Sequence, residues 1–153
     1  MGSLCAKPVL DSKMRALCVR PYPGHPHGCP NFGNKEGCPG KVPLAREVFD
    51  LSRPTYFIYT RFDLGAHVER MKKRHPGWSQ RQLVCCLYWQ GTARKKLKRQ
   101  IAAFLSWHKG MVVNTCPEAL GINVTETMRR CGIELQWPPK TVVVHVAMAG
   151  WPK

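Results

Sequence analysis

The chain has 153 residues, of which 44% are apolar, so it is long and apolar enough for one domain with a buried core rather than a disordered chain. Lys and Arg number 24 against 9 Asp and Glu, and the formal net charge of +15 indicates an anionic partner such as nucleic acid or an acidic protein. No apolar run reaches the roughly 18 residues of a membrane span, and the first residues lack the apolar core of a signal peptide. We therefore expect a single cytoplasmic domain, residues 1–153, with no membrane partner.

The first unusual segment is rich in proline and glycine. Pro21 to Pro43 contains six prolines and five glycines in 23 residues, which excludes a helix or a central strand. A loop of this length is uncommon in a compact domain unless something fixes it. Because Cys18, Cys29 and Cys38 lie in or beside it, a bound metal would offset the entropy of ordering the chain. The sequence thus predicts a metal-binding loop over residues 18–43.

The next elements predict a strand followed by a long basic helical segment. β-branched and aromatic residues indicate a strand at 55–62, and Leu64 to Arg74 has the pattern of a helix that ends at a Pro-Gly pair. Ser79 fits the start of a capping box, and the helical pattern continues from there to about His108. Gly91 is expected to kink or divide this helix.

Shorter elements complete the prediction. Asn123 is the expected cap of a short helix, because Glu126 follows it at the spacing of a capping box. The elements predicted outside the segment 55–108 are a helix at Val124–Cys131, a strand at Thr141–Met148, and weaker strands at Met14–Val19 and Ile133–Gln136. The expected fold class is α+β, a small sheet covered by helices with the cysteine loop at one end.

The excess positive charge is concentrated in the basic helical segment, 64–108. Residues 61–109 contain 12 basic and only 2 acidic side chains. Such a run is often only a solvated helix face, but the lack of acidic residues favours contact with nucleic acid or an acidic protein. The aromatic residues among these charges would stack on bases if exposed, or pack in the core: Trp78, Tyr88, Trp89 and Trp107. The predicted contact residues are Arg94, Lys95, Lys96, Lys98 and Arg99.

Eight cysteines require an explanation. Without a secretory signal they are more readily metal ligands or core residues than disulfides. No pair has the C-x2–4-C spacing of common structural zinc sites. Proline follows directly in Cys29-Pro30, Cys38-Pro39 and Cys116-Pro117, and a proline after a ligand recurs in iron–sulphur sites. The pattern predicts a 4Fe–4S cluster on Cys18, Cys29 and Cys38, with zinc, or buried and free thiols, as the alternatives.

Two segments resemble a known family. Gly28-Cys29-Pro30-Asn31-Phe32-Gly33-Asn34-Lys35 with Cys38-Pro39-Gly40 resembles the Gly-Cys-Pro-Asn-Tyr-Gly-Lys…Cys-Pro-Pro element of an uncharacterised prokaryotic family of predicted metal-binding proteins. Cys116-Pro117-Glu118-Ala119-Leu120-Gly121-Ile122-Asn123-Val124 is similar to that family's Glu-Ala-x-Gly-Ile-Asp-Val segment. Many relatives have further cysteines upstream of the second element, where residues 107–115 here have none. The resemblance implies one metal site and no particular reaction.

The fourth ligand is predicted to be Cys116. It precedes a proline as Cys29 and Cys38 do, and it lies in the segment that resembles the family. Cys131 is the runner-up, because the neighbouring Arg129 and Arg130 would favour its thiolate.

Three functions fit these observations. The first is a small iron–sulphur protein with a redox or accessory role that docks an anionic partner through the basic helix. The second is a sulphur-transfer or redox enzyme acting on nucleic acid or a small thiol, and the third is a zinc-stapled nucleic-acid-binding module. The sequence leaves open whether the protein is an enzyme, because it shows no nucleophile–base pair, phosphate loop or dinucleotide fingerprint.

Overall fold

The computed structural model describes residues 2–21 and 25–153 and has the predicted α+β architecture. The strands are β1 (Gly2–Cys5), β2 (Tyr56–Asp63), β3 (Val112–Asn114) and β4 (Val142–Gly150). The α-helices are α1 (Ala45–Val48), α2 (Leu64–Arg74), α3 (Gln80–Leu83), α4 (Gln90–Trp107) and α5 (Val124–Arg130). Three 3-10 helices cover Ser12–Val19, Cys86–Tyr88 and Pro117–Leu120. No helix in these described ranges combines the length and apolarity needed to cross a membrane.

The four strands form one antiparallel sheet in the order β1-β2-β4-β3. The central pair places Phe57 opposite Met148 and Ile58 opposite Ala147. Because successive side chains of a strand point to opposite faces, these two pairs belong to different sides of the sheet. The short strand β1 forms one edge, with Ser3 opposite Ile58.

Each face of the sheet has its own apolar core. Phe57 and Met148 pack with Leu120, Ile122 and Met128, which come from the segment around the last 3-10 helix and from α5. On the other face, the side chains of Ile58, Ala147 and Ala149 pack against α4 through Leu97 and Phe104. The sheet thus separates the basic helix α4 from the segment that carries Cys116.

The predicted helix from Ser79 to His108 is divided earlier than expected. The capping box at Ser79 forms, but α3 ends at Leu83, and α4 begins only at Gln90. Trp89 accounts for the break: its ring is buried beside Leu64 and Ala93, and its Nε1 donates to the Val84 carbonyl at 3.1 Å. The prediction of a break at Gly91 was therefore wrong, and Gly91 lies in the first turn of α4.

Both weaker strand predictions were wrong. Met14–Val19 belongs to a 3-10 helix, which Asp11 starts by accepting a hydrogen bond from the Lys13 amide at 3.0 Å. Ile133–Gln136 forms no ladder in the described part of the chain, because its alternating apolar residues instead pack into the core beside Met128. The Gln136 side chain accepts from the backbone amides that lead into β4.

The short helix after Asn123 agrees with the prediction, and so does the lack of a helix or sheet strand in residues 25–43, whereas residues 18 and 19 of the predicted loop belong to the 3-10 helix Ser12–Val19. Asn123 Oδ1 accepts from the Glu126 amide at 2.9 Å, and α5 covers Val124–Arg130. Residues 25–43 form hydrogen-bonded turns without a helix or a strand of the sheet. Residues 22–24 of the predicted loop lie outside the described residues.

Two histidines, His67 and His145, are expected to make the fold less stable in acid. His67 is 3% exposed, and neither its Nε2 nor the Nδ1 of His145 has a hydrogen-bond partner among the described residues. Burial lowers the pKa of both side chains. Below about pH 6.5 the unfolded chain therefore binds protons that the folded chain does not, and stability falls as the pH decreases.

The measurement is the urea midpoint at pH 7 and at pH 5. The parent is expected to lose more stability between these values than a His67→Leu/His145→Val double variant. His27→Gln, which removes an exposed histidine, serves as the control. An equal loss in the parent and the double variant would show that these histidines do not cause the acid sensitivity.

Candidate metal centre and basic helix

Three separate segments of the chain meet at the cysteine loop. The Asp11 amide donates to the Gly121 carbonyl at 2.8 Å, and Leu10 forms a β-bridge with Ile122. This pairing holds the 3-10 helix Ser12–Val19 against the 3-10 helix Pro117–Leu120. Gly121 permits the approach, since it has a φ of 78° and a Cβ there would lie 3.3 Å from the Ser12 Cα. The pairing places the Cys18 and Cys116 segments side by side.

The Cys29 segment is joined directly to Cys18. The Cys29 amide donates to the Cys18 carbonyl at 2.7 Å. Gly28 precedes it with a φ of 81°, and a Cβ on Gly28 would lie 2.5 Å from that same carbonyl oxygen. Both the conformation and the space at this position require glycine.

The three Cys-Pro pairs adopt one recurring turn. The carbonyl of Cys29 accepts from the Phe32 amide at 3.1 Å, and the carbonyl of Cys38 accepts from the Lys41 amide at 3.1 Å. The carbonyl of Cys116 likewise accepts from the amide three residues ahead, that of Ala119, at 3.0 Å. Proline favours this geometry, because its fixed φ suits the second position of such a turn. Cysteine thus occupies the first position of the same turn at three places in the site.

Burial and the charges of the other predicted ligands raise the pKa of two of the four thiols, those of Cys18 and Cys116. Burial, followed by the charges of Cys29 and Cys38, raises the pKa of Cys18. Cys116 is exposed as a whole residue, but protein surrounds its thiol. Burial raises the pKa of this thiol to about 11, and the charges of Glu118, Cys18 and Cys38 act in the same direction. Burial also raises the pKa of Glu118. A cation among these groups would turn their mutual repulsion into attraction.

The conformation described for residues 2–21 and 25–153 has no group of three or more His, Cys, Asp or Glu side chains that is compact enough to hold a single metal ion. The four cysteines are neighbours rather than a closed chelate. Their donor set fits a thiolate-ligated centre, because thiolates are the ligands that iron–sulphur clusters and zinc select.

Cys131 occupies a different position. It caps the C-terminus of α5, is half-buried, and is not among the described groups whose charge acts on the Cys18 or Cys116 thiol. The two arginines beside it, Arg129 and Arg130, both pair with Glu126 at 2.9 Å. This placement favours Cys116 as the fourth ligand.

Several supporting residues were not anticipated from the sequence. The Arg15 guanidinium donates to the Val42 carbonyl at 2.7 Å and ties the far end of the cysteine loop to the first 3-10 helix. Asn114 Oδ1 accepts from the Cys116 amide at 2.8 Å. The Asn-x-Cys spacing is a signal for such an Asn turn, whereas no local pattern indicates the long-range contact of Arg15. Glu118 lies in the first turn of the 3-10 helix Pro117–Leu120, and Cys116 occupies the cap position of that helix.

The predicted basic residues lie along α4. Arg94, Lys95, Lys98 and Arg99 are exposed, while Lys96 is half-buried and its Nζ donates to the Arg61 carbonyl at 3.0 Å. None of the five has an ion-pair partner in the described part of the chain. The adjacent end of α2 adds further exposed cations at residues 70 and 72–74, of which Lys72 pairs with Glu69. The face is therefore strongly positive.

The aromatic residues of this segment separate into two groups. Trp89 is buried, and the Trp78 ring stacks on His75 with 4.0 Å between centroids. Tyr88 and Trp107 are exposed, and Trp107 is 87% exposed at the end of α4. The Tyr88 ring already packs against Trp78, with 4.7 Å between centroids, so Trp107 is the ring of this group most open to a partner.

Comparisons with known proteins give no match: no family model, no curated protein and no solved structure is significantly similar to this chain. Function must therefore be inferred from the cysteine site and the basic helix themselves.

Proposed function

We propose that this chain is a small iron–sulphur protein with a 4Fe–4S cluster on Cys18, Cys29, Cys38 and Cys116. The observation that supports this most is the convergence of three distant segments, each presenting cysteine, with three of the four thiols at the start of the same Cys-Pro turn. Core packing alone gives no reason for that repetition. The resemblance of residues 28–40 and 116–124 to predicted metal-binding proteins points the same way.

A cluster is favoured over zinc by the arrangement of the cysteines. Structural zinc sites usually take ligand pairs from C-x2–4-C spacing, whereas these ligands are eleven or nine residues apart in the loop and come from three segments. When bound, a cluster supplies transfer of one electron at a time. Burial raises the pKa of Glu118, whose carboxyl lies within hydrogen-bond reach of Cys116.

The protein is further proposed to dock on an anionic partner through α4. The sheet separates α4 from the cysteine site, so partner binding and cluster ligation use different surfaces. All eight cysteines are unpaired, which suits a reducing compartment, and we propose that the protein acts in the cytoplasm. A redox or accessory role follows from this pairing of a cluster with a charged docking face.

Anaerobic reconstitution tests the cluster. Metal-free protein incubated with ferrous iron and sulphide is expected to develop a broad visible absorption that dithionite bleaches. A Cys85→Ser/Cys86→Ser double variant, altered outside the site, should develop the same absorption. Protein that remains colourless with iron and sulphide but binds one zinc ion tightly would overturn the proposal in favour of the zinc-stapled module.

A substitution at Gly28 probes the site without removing a thiol. Gly28→Ala places a Cβ against the Cys18 carbonyl and strains a left-handed residue, so Cys18 and Cys29 must separate. We expect the variant to bind much less iron on reconstitution than the parent. Gly37→Ala, in the same loop but with open space around its Cβ, is the matched control and should bind iron normally. Equal iron in both variants would contradict the closeness of Cys18 and Cys29 in the loaded protein.

A further inference from the structure

A cleft opens where the C-terminal end of α4 meets the edge strand β1. It encloses about 230 Å³, and its lining includes Ser3, Ile58, Gln100, Ala103, Trp107 and His108. The apolar part comes from the sheet and from α4, and no carboxylate lines the cleft among the described residues. The lining combines apolar side chains with a few polar groups, which is the usual composition of a small-ligand site.

Trp107 gives the cleft an exposed aromatic wall. Such a large ring is rarely left 87% exposed without a partner, and its neighbours do not cover it. His108, next to it, stacks on Phe104 at 3.9 Å between centroids, and its Nδ1 lies 2.9 Å from the Phe104 carbonyl. Since a carbonyl only accepts, Nδ1 carries the proton in the neutral ring and Nε2 is left as an acceptor.

The positive charge of α4 leads to this cleft. Lys96 lies four residues before Gln100 and Arg99 four residues before Ala103, so these cations lie one helical turn from the cleft on the same face. Lys95 and Lys98 extend the charge along the exposed side of the helix. Trp107 lies eight residues beyond Arg99, about 12 Å along α4, so a polyanion that crosses α4 reaches the aromatic wall within about two of its units.

We infer that the cleft binds an unstacked base of a single-stranded nucleic acid, with Trp107 as the stacking surface and α4 holding the adjacent phosphates. This inference rests on the proposed docking role of α4 and specifies its partner. Every base has a π-face that can stack on an aromatic ring, whereas a base inside a duplex is already stacked and paired. Charge alone does not distinguish nucleic acid from an acidic protein segment, but an exposed indole beside the cations favours a partner in which every unit carries a π-face.

Fluorescence anisotropy with short labelled strands tests this assignment. Oligothymidylate, oligouridylate, a duplex of the same length and heparin are the probes. The parent is expected to bind the single strands more tightly than the duplex. Trp107→Ala should weaken single-strand binding about 10-fold, as expected for loss of one base–aromatic stack, and Trp107→Phe should retain most of it.

The control is Trp137→Ala, which removes another exposed indole, one that donates to Thr125 Oγ1 away from α4. It should bind all probes like the parent, and heparin binding should be unchanged in Trp107→Ala. Unchanged single-strand binding in Trp107→Ala, with heparin still bound, would overturn the base site and leave the docking role of α4 intact. Failure of the parent to bind any of these polyanions would overturn both.

Discussion

Serine at any one of Cys18, Cys29, Cys38 or Cys116 is expected to remove most of the iron from the protein. Each thiolate would hold one corner of the cluster, and ligation is coupled to ordering of the loop, so loss of one ligand weakens the whole site. The measurement is iron and acid-labile sulphide per chain after anaerobic purification. The thermal unfolding midpoint should fall in the same variants, because the cysteine loop is fixed by turns and a few long-range hydrogen bonds.

The controls for this series are serine substitutions at Cys85, Cys86 and Cys131, which lie outside the site. They should retain the iron content of the parent. The Cys131 variant decides the fourth ligand, since that residue caps α5 away from the other thiols. Full iron in Cys116→Ser together with loss in Cys131→Ser would reverse the assignment.

Neutralisation of the exposed cations on α4 is expected to weaken binding to nucleic acid and heparin strongly. The variant is Lys95→Gln/Lys98→Gln/Arg99→Gln, which spares Lys96 because its Nζ already donates to the Arg61 carbonyl. Each lost phosphate contact reduces the slope of log K against log salt by about 0.9 on duplex DNA, so the slope should flatten by about 2 to 3 if all three side chains contact phosphate. Iron content should not change, since the sheet separates α4 from the cysteines.

A second triple variant, with the same change in net charge as the α4 variant, serves as its control. Lys7→Gln/Lys13→Gln/Lys140→Gln removes three exposed cations that lie outside α4. It should bind with nearly the affinity and salt slope of the parent. If the two triple variants lose affinity equally, binding depends on net charge alone and α4 is only a solvated face.

Local sequence patterns predicted a helix or strand correctly where its own residues determine its conformation. The helix Leu64–Arg74 has the predicted bounds, because it ends in three basic residues before a Pro-Gly pair. The strand β1 was not anticipated, since a four-residue edge strand beginning Gly-Ser takes its conformation from its pairing with β2. The break before α4 was likewise missed, because it depends on burial of Trp89 against α2 rather than on a helix-breaking residue.

The same distinction applies to the cysteine site. Each of the three Cys-Pro pairs forms a local turn, which requires only the fixed φ of its own proline. The meeting of Cys18 with Cys116 depends on the pairing of residues 10–12 with 121–122, which no short motif encodes. The need for glycine at position 28 is visible only once the Cys18 carbonyl is placed against it.

Metal and sulphide analysis of the parent protein, purified anaerobically from cells without reconstitution, shows directly whether the chain holds a cluster. We expect a brown protein with about four iron and four acid-labile sulphide per chain and little zinc. A colourless protein that contains one zinc and no sulphide would contradict it.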